Sequence, residues 1–239
     1  MKKKVSDLKI KIFADGANLD AILELYKNPL IKGFTTNPSL MRKAGITDYE
    51  AFARDLLAAV PDRPISLEVF ADEFDEMERQ ARKIASWGSN VYVKIPVMNT
   101  EGAVAYHLIH ALSQDGIKVN VTALTTQYQV GSACRALRNG APAYISVFAG
   151  RVADSGIDPL FVMGPAMQCV KAHPNVELIW ASPRELLNVF QADEIKCHII
   201  TATPDILKKL SLVGKDLYSY SLETVQMFYK DAQASGYKL

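Results

Sequence analysis

The chain has 239 residues, of which 49% are hydrophobic and 22% are charged, and its formal net charge is +1. This is the composition of an ordinary globular protein with enough chain to bury a substantial core. The near-neutral charge excludes a global electrostatic field for nucleic acid or an anionic membrane surface, so we expect neither as a partner.

The cysteines indicate a reducing compartment, and the hydropathy of the chain shows neither a signal peptide nor a membrane span. The three cysteines, Cys134, Cys169 and Cys197, are widely spaced, so we expect neither a disulfide framework nor a zinc site. The basic start MKKKVSDLKI lacks the apolar stretch of a signal peptide. No segment approaches the roughly 18 apolar residues of a membrane span. We therefore expect a cytoplasmic protein.

Short runs rich in β-branched residues recur along the chain. In order they are KIKIFAD (9–15), LIKGFTT (30–36), PISLEVF (64–70), VYVKIPV (91–97), KVNVTAL (118–124), AYISVFA (143–149), VELIWAS (176–182) and CHIITAT (197–203). Helix-like segments lie between them, such as EFDEMERQARKIASWG (73–88) and EGAVAYHLIHALSQDG (101–116), each ending in glycine. This alternation predicts βαβ units and a parallel sheet, and the eight runs match the strand number of a (β/α)8 TIM barrel.

The faces of the predicted strands distinguish this α/β barrel from an open, doubly wound sheet. Side chains alternate between faces along a strand. One face is apolar and carries Ile65, Leu67, Val69, Val91, Val93, Ile95, Val119, Val121, Ala123, Ile145 and Val147. The other carries Ser66, Glu68, Phe70, Tyr92, Lys94, Pro96, Asn120, Thr122, Ser146 and Phe148. A doubly wound sheet is covered by helices on both faces, so the polar second face favours the barrel. By the same alternation, we expect Trp180 on the interior face, beside Ser182, as core filler.

The chain contains no Pro-, Gly- or Ser-rich linker, so we expect one domain over residues 1–239. From about residue 215 the sequence reads KDLYSYSLETVQMFYKDAQASGYKL, in which Ser221 and Glu223 predict a capped amphipathic helix. Its aromatic residues would pack either on the parent barrel or on a neighbouring subunit, and they are Tyr218, Tyr220, Phe228 and Tyr229.

Polar groups lie at the ends of seven of the predicted strands. Barrel enzymes carry their chemistry at the carboxyl ends of the strands. These ends present, in order, Asp15, Asn37, Glu68, Lys94, Asn120 with Thr122, Ser146 and Ser182. A single charge at such an end is explained by a surface ion pair, but Glu68 and Lys94 lie inside buried runs, where an unpaired charge is costly. The joint pattern therefore indicates an active site.

A lysine with carboxylates and without a metal-ligand pattern points to covalent amine catalysis on a carbonyl. The neutral amine of Lys94 would attack a ketone and form an iminium, which acts as an electron sink for breaking the adjacent carbon–carbon bond. Two carboxyl groups, Asp15 and Glu68, suit the proton transfers that this route requires.

Two arginines indicate an anion at one end of the substrate. Arg151 and Arg184 follow the sixth and seventh predicted strands, close to where barrels commonly bind phosphate. Ser182, before Pro183, would cap the next helix, and a helix N-terminus itself favours anions.

The motifs along these strands resemble those of the transaldolase family. They are FADGAN (13–18), GFTTNPSL (33–40), SLEVFAD (66–72), YVKIPV (92–97), NVTAL (120–124), SVFAGR (146–151) and ASPRE (181–185). They cover the first seven strands in the family's order, and TTNPSL with KIPV at this separation is specific. The resemblance implies a homo-oligomer, a pentamer or decamer, that needs no cofactor and acts on sugar phosphates in the pentose phosphate pathway.

The resemblance also implies a role for each site residue. Lys94 would attack C2 of a ketose phosphate such as fructose 6-phosphate or sedoheptulose 7-phosphate and form a Schiff base. Glu68, through a water near Thr122, would assist dehydration, and Asp15 would take the C4 hydroxyl proton and start retro-aldol cleavage. The implied binding residues hold the dihydroxyacetone unit (Asn37, Asn120, Ser146) and the phosphate (Arg151, Ser182, Arg184), with Phe148 beside them.

Two alternatives for the function stay open within the same family. Fructose 6-phosphate aldolases release free dihydroxyacetone, and they typically carry glutamine and tyrosine where this chain has Glu68 and Phe148. Both positions here have the transaldolase form, so we favour transfer. The anionic group of the ketose is the second open point, with a sulfonate as the alternative to a phosphate. A non-catalytic sensor barrel would be expected to lack Lys94 or a carboxylate, and a phosphate-binding isomerase barrel would not explain Lys94.

Overall fold

The structure is a computed structural model that describes residues 4–238. Its strands are β1 (Lys11–Asp15), β2 (Ile31–Thr35), β3 (Ile65–Glu68), β4 (Val91–Pro96), β5 (Val119–Leu124), β6 (Ala143–Val147), β7 (Val176–Trp180) and β8 (Ile199–Ala202). All neighbouring strands are parallel, and β8 pairs with β1 to close the barrel. The eight predicted strands and the (β/α)8 TIM barrel are thus confirmed.

Helices follow every strand and surround the barrel. They are α1 (Leu19–Tyr26), α2 (Pro38–Lys43), α3 (Tyr49–Ala59), α4 (Phe74–Ala85), α5 (Tyr106–Gln114), α6 (Gln127–Ala136), α7 (Ala149–Asp154), α8 (Leu160–Val170), α9 (Leu187–Glu194), α10 (Pro204–Lys208) and α11 (Leu217–Ser235). The segment predicted as helical from residue 101 begins its helix only at Tyr106. The Asn99 side chain accepts from the backbone N–H groups of Glu101 and Ala103, which holds this stretch in a turn. Across residues 4–238, no helix combines the length and apolarity that crossing a membrane requires.

The apolar strand faces pack outward against the helices and form the main core. Leu67, Val93, Val121 and Ile145 are fully buried in this layer. Complete burial of such a side chain stabilises the fold by about 1.5–3 kcal/mol. The outer layer therefore leaves the inner face of the strands available for polar groups.

An aromatic layer fills the barrel interior below the carboxyl ends of the strands. The rings of Tyr92 and Tyr144 stack with centroids 3.9 Å apart, and Phe13 meets Tyr144 edge-on at 5.9 Å. Gly33 lies opposite Phe13, and a Cβ atom at Gly33 would come within 2.6 Å of the Phe13 ring. Ile179, Ala181 and Ile199 are the other buried residues of this interior cluster. The barrel is therefore closed by packed side chains beneath its upper end.

The predicted faces of Ala123 and Trp180 are wrong. The pairing of β5 with β6 shifts between Val121 and Leu124, and Ala123 adopts a left-handed φ of 65°, so Ala123 is exposed at the upper end of the barrel. Trp180 is fully buried in the outer core, whereas Ile179 packs in the interior cluster. Ser182 lies beyond the end of β7 with a φ of 58°, so strand alternation does not relate its direction to that of Trp180.

The predicted C-terminal helix is confirmed as α11, but its cap is Asp216, which accepts from the backbone N–H of Ser219, and not Ser221. None of its described side chains is buried, so its aromatic residues do not pack on the parent barrel. Its large exposed apolar residues are Leu217, Tyr218, Tyr220, Leu222, Val225, Met227, Phe228 and Tyr229.

Candidate active site

A cavity of about 470 Å³ opens at the carboxyl ends of the strands, a volume within the usual range of small-molecule sites. The structure brings ten of the eleven predicted site residues to its wall, namely Asp15, Asn37, Glu68, Lys94, Thr122, Ser146, Phe148, Arg151, Ser182 and Arg184. The eleventh, Asn120, is fully buried and bonds to Ser146 from beneath the wall. Within residues 4–238, no cluster of three or more His, Cys, Asp and Glu side chains is arranged to hold a metal ion.

Lys94 occupies the inner face of β4, between Glu68 on β3 and Asn120 on β5. It is 6% exposed. Its Nζ lies 2.8 Å from Glu68 Oε2 and donates to the backbone carbonyl oxygen of Thr36 at 2.7 Å. An ammonium has three N–H groups, so these two acceptors orient the side chain and leave one direction for a ligand. The pairing also offsets the cost of burying the charge.

Asp15 ends β1 and accepts a hydrogen bond from Thr35 Oγ1 at 2.7 Å. Burial raises the pKa of Asp15 above its ordinary value, against the lowering effects of the Lys94 charge and the Thr35 hydrogen bond, and Glu68 raises it further. A carboxyl group with a raised pKa is suited to both accepting and returning a proton.

The hydroxyl of Thr122 is buried in the cavity wall without a hydrogen-bond partner among the described residues. It lies in the same cavity wall as Glu68 and Lys94. A buried polar atom without a partner costs free energy, so this hydroxyl is a natural binding point for a water or a substrate hydroxyl.

Amide and hydroxyl groups lie in the wall of the cavity and in the layer beneath it. Asn120 Nδ2 donates to Ser66 Oγ at 3.0 Å, and Ser146 Oγ donates to Asn120 Oδ1 at 2.7 Å. Asn37 caps α2, because its Oδ1 accepts from the backbone N–H of Leu40 at 3.0 Å. That bond leaves the amide N–H groups of Asn37 for a ligand.

The first turn of α7 and the loop after β7 approach closely at the arginine end of the cavity. A Cβ atom at Gly150 would lie 1.6 Å from the backbone oxygen of Ser182, so only glycine allows this approach. The predicted capping role of Ser182 is wrong, because α9 begins at Leu187 without a side-chain cap. Asn188 instead holds this loop, since its Oδ1 accepts from the backbone N–H groups of Arg184 and Glu185 at 2.8 and 3.1 Å.

The two arginines of this end have different partners. Arg184 Nε donates to Asp154 Oδ1 at 3.0 Å, and its Nη2 donates to the other carboxylate oxygen. The hydrogen bonds from Arg184 lower the pKa of Asp154. The guanidinium of Arg151 lies 5.7 Å from the ring centre of Phe148. Arg151 lines the cavity with its charge available to a ligand, whereas two nitrogen atoms of Arg184 are already bonded to Asp154.

Sequence reasoning missed three hydroxyl groups of the site. Thr35 Oγ1 lies 2.6 Å from Thr201 Oγ1, and both residues line the cavity, while Ser66 lies beneath it. Thr201 is the next-to-last residue of β8, the one strand for which the sequence predicted no site residue. Strand alternation applied to Ile199, which faces the interior, would have identified Thr201.

This fold and site define a TIM-barrel protein with an enzyme-like pocket at the carboxyl ends of its strands. A family model described as transaldolase/fructose-6-phosphate aldolase matches residues 12–239. A probable transaldolase of Methanococcus maripaludis is 37% identical over 84% of this chain and 89% of its own length. A probable transaldolase of a Thermoanaerobacter species is 36% identical over 96% of this chain and 100% of its own length. The chain therefore belongs to the transaldolase/fructose-6-phosphate aldolase family.

Similarity to solved structures outside this family shows the fold alone. An HpcH/Hpal aldolase/citrate lyase family protein from Burkholderia cenocepacia superimposes with a TM-score of 0.58 at 12% identity, covering 94% of this chain and 95% of its own. A 2,3-dimethylmalate lyase superimposes with a TM-score of 0.52 at 13% identity, covering 97% and 86%. Identities this low carry no argument about chemistry.

Proposed function

We propose that the protein is a transaldolase, which transfers a dihydroxyacetone unit from a ketose phosphate of the fructose 6-phosphate or sedoheptulose 7-phosphate type to an aldose phosphate. The observation that carries this proposal is Lys94, which is 6% exposed and has its Nζ 2.8 Å from Glu68 in the cavity wall. A buried lysine beside carboxylates suits formation of a Schiff base with a ketone. Membership of the family supports the transfer chemistry.

The first half-reaction begins when Lys94 gives a proton to Glu68 and its amine attacks C2 of the ketose. Glu68 then protonates the departing hydroxyl of the carbinolamine through a water held at Thr122, and an iminium forms. Asp15 takes the proton of the C4 hydroxyl, the C3–C4 bond breaks, and its electron pair moves into the iminium to give an enamine. The aldose phosphate leaves, and an acceptor aldose reverses these steps.

The binding groups of the proposal follow from their positions around the cavity. The amide of Asn37 and the hydroxyl of Ser146, which Asn120 orients from beneath the cavity wall, would hold the hydroxyl groups of the dihydroxyacetone unit. Arg151, Ser182 and Arg184 would bind the phosphate, and charge-assisted contacts of this kind are the stronger hydrogen bonds in proteins. Phe148 would form the wall between the two ends.

One observation favours an alternative anionic group on the ketose. Asp154 lies against Arg184, so the charge of one of the two arginines is already balanced. A singly charged group such as a sulfonate would need less positive charge at this end than a phosphate dianion does. The rest of the mechanism is the same for either donor.

An assay of fructose 6-phosphate cleavage with and without erythrose 4-phosphate tests the proposal. A transaldolase releases glyceraldehyde 3-phosphate in quantity only when the acceptor is present. Equal rates with and without acceptor would identify instead an aldolase that releases free dihydroxyacetone. Borohydride added with fructose 6-phosphate should trap a covalent adduct on Lys94, and turnover without such an adduct would exclude the Schiff base.

We further propose that residues 1–239 form one domain and that the chain assembles into a homo-oligomer, a pentamer or decamer by resemblance. The exposed apolar side chains of α11 support a second copy as the occupant of this helix. A cytoplasmic location in the pentose phosphate pathway, with no cofactor and no nucleic-acid or membrane partner, belongs to the same proposal.

A further inference from the structure

Asp15 stands at the end of a chain of two buried hydroxyl groups. Thr35 Oγ1 donates to Asp15 Oδ1 at 2.7 Å and lies 2.6 Å from Thr201 Oγ1. The exposed fractions of Thr35 and Thr201 are 3% and 6%. They belong to β2 and β8, the two strands that flank β1, and Asp15 pairs directly with Thr35 in the sheet. The backbone register of three strands therefore builds this chain.

The direction of the hydrogen bonds depends on the proton of Asp15. A hydroxyl group donates one hydrogen bond. When Asp15 is ionised, Thr35 donates to it and must accept from Thr201. When Asp15 is protonated, it can donate to Thr35, which then donates to Thr201. The chain thus satisfies the carboxyl group in both protonation states without moving any heavy atom.

We propose that Thr35 and Thr201 are positioning residues that hold Asp15 in place while it takes the proton from the C4 hydroxyl and later returns it. This inference rests on the proposed function, in which Asp15 is the base of carbon–carbon cleavage. It assigns to Thr201 a part in that step although, among the described residues, its hydroxyl bonds to Thr35 and not to Asp15.

Other charges around Asp15 stay constant when the threonines are changed. Lys94 and Glu68 act on it inside the cavity, and Arg151 and Arg184 lie at the far end of the same cavity. An adjoining cavity of about 340 Å³, which also includes Asp15, brings Lys43 and Asp205 near it. Threonine to valine exchanges a hydroxyl for a methyl group and alters none of these charges, so it isolates the hydrogen-bond chain.

The test compares kcat and the pH profile of kcat/KM across hydroxyl variants. Thr201→Val should lower kcat about tenfold, the factor expected from one hydrogen bond to a charged network. It should also move the acidic limb of the profile to higher pH, because a weaker donation from Thr35 raises the pKa of Asp15. Thr35→Val should move the acidic limb further in the same direction. Thr201→Ser keeps the hydroxyl and should restore both kcat and the position of the acidic limb.

Thr100→Val is the matched control, because Thr100 Oγ1 donates to Asp72 at 2.6 Å in an exposed pair that does not line the cavity. It should leave kcat and the profile unchanged. If Thr201→Val folds poorly by thermal melting, Thr201→Ala removes the same hydroxyl and replaces it in the comparison. A kcat within twofold of wild type with an unshifted limb, or a serine variant that restores nothing, would overturn the proposal.

Borohydride trapping separates this inference from the proposed function. Thr201→Val should form the Lys94 adduct with fructose 6-phosphate as fully as the wild type, because the amine acts before Asp15 is needed. Absence of the adduct in the wild type would refute the Schiff-base function. A normal adduct in Thr201→Val, together with unchanged cleavage and pH profile, would refute only the role of the threonines.

Discussion

At the scale of single residues, the site depends on how buried charges are balanced. Lys94 is held by one carboxylate and one backbone carbonyl, and Asp15 is held by the Thr35 hydroxyl. Each charged group therefore has a specific partner, as buried charges require. Removal of one member consequently changes the charge of its neighbours as well as its own chemistry.

Lys94→Met keeps the packing volume of the side chain but removes the nucleophile. We expect this variant to fold and to lose activity by roughly three orders of magnitude or more, as is usual when a covalent route is removed. Circular dichroism checks the fold, and intact mass after borohydride treatment checks the adduct. Near-normal turnover by folded Lys94→Met would disprove the role of the lysine.

The pH profile should report the environment of Asp15. Its pKa is raised above the ordinary aspartate value, mainly by burial. Because the base must be ionised, kcat/KM should fall as the pH decreases through this raised pKa, at a higher pH than for an exposed aspartate. Asp15→Asn should remove that limb along with most of the activity. A profile flat down to the range of a free aspartate would contradict the assignment.

Asp154→Asn tests the charge of the anion end. The substitution removes a negative charge beside Arg184. We expect the KM for fructose 6-phosphate to fall by about threefold to tenfold, because repulsion of the phosphate is relieved at a half-exposed site, with little change in kcat. A raised KM would mean that the carboxylate serves chiefly to orient the guanidinium.

At the scale of elements, the first turn of α7 packs against the loop after β7 at Gly150. Its missing side chain admits the Ser182 backbone, and the left-handed φ of Ser182 turns the chain toward Arg184. Such a conformation costs a non-glycine residue roughly 1–2 kcal/mol and persists because the surroundings hold it. The anion end is therefore built from backbone fit as much as from charge.

Gly150→Ala should displace the Ser182 loop, lower the free energy of unfolding by about 2 kcal/mol or more and abolish substrate binding. Gly131→Ala is the matched control, because a Cβ atom at this α6 position meets only Arg135 at 3.8 Å. It should stabilise the protein by about 0.5–1 kcal/mol. Chemical denaturation of both variants measures the difference, and equal effects would disprove the close-approach argument.

Strand alternation alone was sufficient to place Lys94 and Glu68 on the same interior face. It failed where the backbone leaves regular strand geometry, at the left-handed Ala123 and Ser182. The register shift that turns Ala123 arises from pairing between β5 and β6, which no local pattern records. The pairing of Thr35 with Thr201 depends in turn on closure of the barrel, which brings β8 next to β1.

At the scale of the whole molecule, α11 lies outside the packing of the barrel. Tyr218, Leu222, Val225 and Tyr229 follow helical spacing along one face and are all exposed. A stripe of this kind on a helix with no buried side chain is suited to contact with another copy of the chain.

Leu222→Glu combined with Val225→Glu should dissociate the proposed oligomer, because it introduces two charges into the apolar stripe. Light scattering coupled to size exclusion measures the mass. Ala234→Glu adds a charge to the opposite face of the same helix and should leave the mass unchanged. A monomeric wild type, or an oligomer untouched by the double substitution, would rule out α11 as the contact.

The aromatic layer around Phe13, Tyr92 and Tyr144 also closes the barrel to small molecules on the side opposite the cavity mouth. Because these rings plug the barrel, anything that enters from the upper end must return the same way. In the proposed transfer, the first aldose product therefore leaves through the same opening by which the acceptor enters, and we expect it to leave before the acceptor binds. Initial-rate plots at several acceptor concentrations should give parallel lines, and lines that intersect would show that both sugars bind in the cavity at the same time.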